Sequence, residues 1–232
     1  MHPVIGTLGP FTFYSYGLML VVAFFVATGV ARATAVKNKI PPEAVFNFSF
    51  LVLVAGIFGA RILYIIEHFS YYRAKPYEII MLQHGGLSWF GGLVAGSLGG
   101  VIYLRRHRQP IIAFFDNFAP ALAFAHAIGR IGCFLNGCCF GRPLCGLPLQ
   151  IVSSLLLFLI FLVLWFLQRA PHRRGSIFFT YLLLYSLKRF FVEFLRLDNP
   201  PVWRGFSLFH LISVALFTGS LAALYVIRKK NS

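Results

Sequence analysis

Gly129-Arg130-Ile131-Gly132-Cys133-Phe134-Leu135-Asn136-Gly137-Cys138-Cys139-Phe140-Gly141-Arg142-Pro143 closes an otherwise apolar run rich in Ile, Phe and Ala. It mixes guanidinium, amide, thiol and several glycines, which a helix facing lipid does not carry. Irregular backbone and charge at membrane depth are tolerated only where protein or a water-filled cavity shields them. The stretch therefore predicts a re-entrant or broken segment lining a polar cavity within a bundle of membrane helices.

The chain on either side fits such a bundle. Of its 232 residues, 59% are hydrophobic, 17% aromatic and only 12% charged, more apolar surface than one soluble core of this length buries. Seven runs, near 11–33, 44–67, 86–104, 111–134, 148–168, 176–195 and 206–227, approach or exceed the roughly 20 residues a helix needs to cross hydrocarbon. With no long polar insert between them, residues 1–232 read as a single transmembrane domain of the all-α polytopic class. No Lys or Arg precedes the first run, which is longer than a signal-peptide core, so it reads as retained.

A net charge of +15 raises nucleic acid as a partner, yet the basic residues form no single stripe and instead punctuate the apolar runs. Arg32, Lys37 and Lys39, then Arg105, Arg106 and Arg108, then Arg169, Arg173 and Arg174, then Arg228, Lys229 and Lys230 follow alternate runs and fall on one side. The other side holds only Arg73, Lys75, Arg142, Arg196 and Arg204. The positive-inside rule predicts an external N-terminus and a cytoplasmic C-terminus.

Ionisable groups within a span cost roughly 2.5–3.5 kcal/mol each on insertion scales, which makes them functional candidates. Arg61, Arg130 and Arg189 are such groups, and Tyr16 stands near the external end of the first run. Arg189, Glu193 and Arg196 are spaced to share a helix face, and Arg189 with Glu193 forms a ready internal ion pair. If Arg61, Arg130 and Arg189 converge, one carboxylate leaves positive charge over, and an anion is the natural complement. The planar guanidinium fork suits phosphate. His126 lies four residues before Arg130 on the same face. Asp116 reads as a helix-start charge, and Arg204 as a side chain reaching for headgroups.

Gly92, Gly96 and Gly100 repeat every four residues, as do Gly91, Ala95 and Gly99, which predicts close helix packing. The pairs Gly85-Gly86 and Gly91-Gly92 offer a second reading, a bend that admits a ligand. Cys133, Cys138, Cys139 and Cys145 have the spacing C-x4-C-C-x5-C, which is not a common zinc pattern. Small buried thiols, a disulfide in an oxidising compartment, redox chemistry and a metal site all remain open for them.

With these residues in view, the chain resembles the prolipoprotein diacylglyceryl transferases of bacteria along nearly its whole length. The matching segments, in order, are Tyr16-Gly17-Leu18-Met19, Gly59-Ala60-Arg61, Gly85-Gly86-Leu87-Ser88 with Gly91-Gly92, Gly129-Arg130-Ile131-Gly132 with Asn136-Gly137 and Gly141-Arg142, Pro148 with Gln150, and Arg189 through Arg196. The resemblance implies transfer of the diacylglyceryl group of phosphatidylglycerol to the lipobox cysteine of a preprolipoprotein carrying its signal peptide, with release of glycerol phosphate. It implies a multi-pass protein of the inner membrane, a site facing the periplasm, and no metal or organic cofactor.

By the same resemblance, Arg130 and Arg189 bind the phosphate and stabilise charge as the C–O bond breaks, Tyr16, Asn136 and Gly141 complete the headgroup site, and Glu193 orients the arginine on its own helix. Tyr16 joins Arg130 and Arg189 among the catalytic candidates, and Arg61, Asn136, Gly141, Arg142, Glu193, Arg196, Gly91 and Gly92 are the candidates for binding substrate, with reaching for headgroups as the other reading of Arg142 and Arg196. The chain departs from the pattern where Phe90 replaces a histidine or tyrosine, where Cys133 and Cys138 replace an asparagine and a glutamate, and where Val152-Ser153 replaces Tyr-Glu. Only Leu144 to Leu147 separate Pro143 from Pro148, in place of a polar insert. His126, or His84, is then the candidate base for the acceptor thiol. The competing functions are a membrane thiol-disulfide protein built on the cysteines and a protein that binds anionic lipid without chemistry.

Overall fold

A computed structural model describes residues 3–8, 11–36, 40–81, 85–198, 202 and 205–229; His84, Arg204, Lys37, Lys39 and Lys230 lie outside the described residues. The chain opens on a hairpin in which β1 (Val4–Leu8) pairs antiparallel with β2 (Phe11–Tyr14). The first apolar run was expected to be helical from about residue 11. Its aromatic and β-branched start, Thr12-Phe13-Tyr14, takes the strand instead, and the helix begins at Ser15, whose N–H donates to the Pro3 carbonyl at 2.9 Å.

The helices are α1 (Ser15–Ala35), α2 (Pro42–Glu67), the short α3 (Phe69–Ala74), α4 (Trp89–Arg106), α5 (Ile111–Asn136), α6 (Leu149–Arg169), α7 (Ser176–Glu193) and α8 (Leu208–Lys229). All seven predicted runs are helices. α1, α2, α5, α6 and α8 are long and apolar enough to cross a membrane, and the protein is an all-α, multi-pass membrane protein. Glycines in α4 and charges in α7 lower the apolar character of those two helices. Backbone proximity divides the chain, expected as one domain, into two compact units, 1–38 with 112–232 and 39–111.

In the 39–111 unit, α2 packs on α4 through glycine. A Cβ on Gly59 would stand 2.1 Å from the Ala95 Cβ and 2.6 Å from the Gly91 carbonyl oxygen, and one on Gly91 would stand 2.3 Å from the Gly59 carbonyl oxygen. Such approach is open only to glycine. Gly91 and Gly92, expected among the substrate-binding groups, here form this seam, Gly92 facing Gly56.

Arg61, buried in α2, donates from Nε to the carbonyl of Ile79 at 3.1 Å, from Nη1 to Gly85 and Gly86 at 2.5 and 3.0 Å, and from Nη2 to Glu78 and Met81 at 2.5 and 3.2 Å. Its guanidinium also lies 5.3 Å from the Tyr72 ring centroid. The described residues between α3 and α4, 75–81 and 85–88, thus supply several carbonyls to one cation.

In the larger unit, Ala119, Ala123 and Ala127 form a small-residue stripe on α5 against Leu157, Ile160, Phe161 and Leu164 of α6 and Ile177 and Tyr181 of α7. Pro120, fully buried, has no N–H for the carbonyl of Asp116, and that oxygen accepts from Gln168 Nε2 at 3.3 Å. The Asp116 carboxylate is a helix-start charge as expected, but for α7 rather than its own helix. It accepts from Gly175 N at 2.5 Å and Phe178 N at 2.8 Å, satisfying orphan donors of the first turn. Asn117 turns the other way, donating to Ala31 O at 2.9 Å and accepting from Thr34 Oγ1 at 2.8 Å. Arg173 donates to the Ile227 and Arg228 carbonyls that end α8 at 3.2 and 2.6 Å. The end of α1, the starts of α5 and α7 and the end of α8 are thereby gathered at one basic end of the unit.

Replacing Asp116 by Ala strands buried N–H groups at the start of α7. Thermal unfolding in detergent should register a loss of about 1–3 kcal/mol, with Asp116→Asn, which keeps one acceptor, losing less. Arg61→Lys, with fewer donors and no planar fork, should expose the 75–88 segment to limited proteolysis while far-ultraviolet helicity persists; unchanged resistance would contradict the clamp.

Candidate functional site

The site is built where α5 stops. No break occurs at Gly129 or Gly132, contrary to expectation, because a continuous helix carries Arg130 and Cys133 to Asn136, shielded by α6 and by Tyr16 and Met19 of α1. A Cβ on Gly132 would come within 3.3 Å of the Tyr16 ring and 3.0 Å of the Met19 Cβ. Termination falls on Gly137, left-handed at φ 73°, whose N–H bonds the Phe134 carbonyl at 3.3 Å while Cys138 N bonds the Cys133 carbonyl at 3.1 Å. This doubly bonded glycine cap explains why the Asn-Gly pair follows the helix.

Beyond it, residues 140–142 lie antiparallel to 195–197. Arg142 N donates to Leu195 O at 2.7 Å, Leu197 N donates to Phe140 O at 3.4 Å, and Gly141 faces Arg196. A Cβ on Gly141 would fall 2.1 Å from Leu149 Cδ2 and 2.5 Å from the Leu195 carbonyl oxygen, so glycine is required for the close approach. The expected polar insert is replaced by a two-residue hairpin. Leu144 and Leu147 exchange bonds of 3.1 and 3.0 Å, with Cys145 (φ 53°) and Gly146 (φ 76°) left-handed at the tip, the backbone that tight hairpins demand. Gln150, buried at the start of α6, donates to the Cys138 carbonyl at 2.9 Å.

Arg130, Cys139, Leu149, Gln150, Ser153, Val192 and Arg196 line one recess. Arg196 grips Asp198 with two bonds of 2.8 and 2.5 Å and thereby holds the Asp198 carboxyl below the usual carboxylate range. Arg189, within electrostatic range of Arg130 and Arg196, pairs with Glu193 at 3.0 Å and lies over the Phe209 ring at 4.6 Å. Glu193 also accepts from Ser207 Oγ at 2.7 Å. The internal ion pair read from the i, i+4 spacing therefore forms. Arg130 differs: among the described residues no carboxylate or carbonyl accepts from its guanidinium.

The structure thus brings Arg130 and Arg196 into one recess, while Arg189 and Glu193 form their own pair outside its lining. Tyr16 rests on Gly132, and the Asn136 amide reaches the Cys138 thiol. Arg142 contributes its backbone and leaves its side chain exposed. His126 is outside the recess lining, its Nδ1 2.9 Å from the Tyr181 hydroxyl and its ring beside Tyr185. Arg61, Gly91 and Gly92 belong to the other unit. The four cysteines are free thiols, with Cys145 exposed. In the loop after α5, the Cys139 thiol is drawn down to about 5 by hydrogen bonding from Cys133, then from Cys138, with Arg130 and Arg196 adding to it. Burial pushes Cys138 up.

The family model described as prolipoprotein diacylglyceryl transferase matches residues 3–226. The chain belongs to the prolipoprotein diacylglyceryl transferase family. Among similar relatives, each named phosphatidylglycerol–prolipoprotein diacylglyceryl transferase, that of Staphylococcus carnosus is 31% identical over 254 residues, covering 99% of this chain and 92% of the relative. That of Halalkalibacterium halodurans is 29% identical over 247 residues, covering 97% and 86%. A second form from Clostridium perfringens is 30% identical over 247 residues, covering 99% and 96%.

For a chain of the transferase family, this one hides several site groups from sequence reading. Asp198 follows Arg196 by two residues, a spacing that signals nothing on a helix and becomes a clamp only because α7 has ended. Lys188, buried in α7 with Nζ 5.6 Å from the Tyr185 ring centroid, is one more basic residue within a run, and its spacing alone does not mark it. Gly141→Ala should part 140–142 from 195–197, which hydrogen exchange at Arg142 and Leu197 would register as lost protection while the α5–α6–α7 core keeps its own.

Proposed function

We propose that the chain transfers the diacylglyceryl group of phosphatidylglycerol to the lipobox cysteine thiol of a preprolipoprotein and releases glycerol phosphate. One observation carries this: Arg130, a guanidinium without a protein acceptor among the described residues, shares a recess with Arg196 beside the glycine-bearing segment that marks the family. A phosphodiester supplies the missing anion and accepts two parallel hydrogen bonds from such a fork. The names of the relatives point to the same donor and acceptor.

The chemistry follows from charge. Breaking the bond between the glycerol carbon and the phosphate oxygen leaves a further negative charge on the departing glycerol phosphate. Donors fixed in place beforehand stabilise that charge more than they stabilise the bound diester. Arg130 is the donor to the phosphate, Arg196 shares the recess from its clamp on Asp198, and Arg189, paired with Glu193 on the same helix as Val192 of the lining, adds positive potential nearby. Tyr16, Asn136, Gly141 and Arg142 border the headgroup. By the positive-inside rule we read the basic end of the larger unit as cytoplasmic, with the signature segment toward the periplasm, the N-terminus outside and the C-terminus inside the inner membrane.

The test is incubation of the purified protein with phosphatidylglycerol vesicles and a lipobox peptide, with mass analysis for the diacylglyceryl adduct. Arg130→Ala should lower turnover by about 10²–10³ with its unfolding temperature preserved, and Arg130→Lys should recover part of it. Undiminished turnover in Arg130→Ala would overturn the assignment.

A further inference from the structure

Cys133, Cys138 and Cys139 present three sulfurs that all lie within 4.8 Å of one another. Their convergence is built by the backbone. The glycine cap folds Cys138 back over Cys133, Gln150 pins the Cys138 carbonyl, and Cys139 adopts φ 60°, a conformation that residues other than glycine rarely take. One disulfide would consume two of these sulfurs and leave the third stranded, whereas a thiophilic cation uses all three. Tetrahedral zinc with bonds of ~2.3 Å brings sulfurs somewhat closer together than this limit, a contraction within reach of side-chain rotation.

We propose that Cys133, Cys138 and Cys139 bind one Zn2+ through their sulfurs, and that its open fourth position takes the acceptor thiol. Three protein ligands with one exchangeable position is the arrangement of catalytic rather than structural zinc, and a thiol that coordinates zinc is deprotonated outright. Arg130 and Arg196 offset the excess negative charge of three thiolates on one divalent ion. The site also answers a need within the chain: Phe90 stands where a proton-accepting side chain is implied, and His126 Nδ1 is engaged by Tyr181.

The role of the fourth position rests on the transferase reading; the metal site rests on the sulfurs alone. In the transfer step the acceptor S–H ionises as its sulfur joins the zinc, and the proton passes to water. That sulfur forms a bond to the glycerol carbon while the carbon–oxygen bond to phosphate breaks, and the electron pair leaves on glycerol phosphate. Zinc keeps its oxidation state, and the product thioether, a weak ligand, departs.

The full chain, purified in detergent, reduced and stripped by a chelator, is titrated with Zn2+ under elemental analysis and with Cd2+ under ultraviolet absorption for the sulfur-to-metal band. We expect one ion per chain, with affinity lowered roughly tenfold or more by Ser at Cys133, Cys138 or Cys139 and unchanged by Cys145→Ser. In the unsubstituted protein Zn2+ should protect three of four thiols from alkylation, a readout that needs no variant. The Co2+-loaded protein should change its visible spectrum on addition of a lipobox peptide and not of its Cys-to-Ser analogue.

Transfer should stop on chelation and return with Zn2+. Failure to bind Zn2+, or a disulfide among the three, overturns the inference; if transfer proceeds meanwhile, the transferase reading survives it. Stoichiometric binding without transfer at any metal loading upholds the metal site, while removing the transferase reading and the role of the fourth position together.

Discussion

A guanidinium cannot be left bare in hydrocarbon, and much of this structure is organised by where its arginines find acceptors. Arg61 takes backbone carbonyls from the chain between α3 and α4. Arg189 takes a carboxylate one turn along its own helix, and Arg196 takes Asp198 just past that helix end. Each solution fixes a different element. The two closest to the signature segment leave positive potential without leaving an idle cation, while Arg130 retains donors for a ligand.

The same rule applies to uncharged polar groups. α5 contains a proline, an aspartate and an asparagine in one stretch, each a liability inside a membrane. Gln168 covers the carbonyl that Pro120 frees, Asp116 seats the first turn of α7, and Asn117 joins α1. Ser154 likewise donates to the Ala127 carbonyl at 2.7 Å. With its alanine stripe against α6 and α7, α5 serves as the axle of the larger unit. The recess lies at the far end of this helix, bounded by Arg130 of α5 and Leu149, Gln150 and Ser153 of α6.

The seven spans were legible because hydrophobic run length is a direct physical signature of lipid burial. The glycine repeat of α4 was legible because close backbone approach tolerates little else. The i, i+4 spacing disclosed Arg189 with Glu193. Other features depended on chain reversals that no local pattern encodes. The acceptors of Arg61 are main-chain atoms, and every residue has those. Asp116 read as a charge for its own helix, since nothing in residues 111–120 points to α7. The glycines around Arg130 suggested a break, yet only Gly137 is left-handed in that stretch; Gly129 and Gly132 stay helical, one beside open space and one under Tyr16. The strand at 11–14 was masked by the apolarity it shares with the helix it precedes.

The clasp around Arg61 also carries a message about biogenesis. Arg61 lies 17 to 25 residues before the carbonyls it binds, those of Glu78, Ile79, Met81, Gly85 and Gly86, so its guanidinium gains these acceptors only when the chain that follows α2 has folded back on it. Until then α2 carries the roughly 2.5–3.5 kcal/mol that a lone arginine costs in an apolar span.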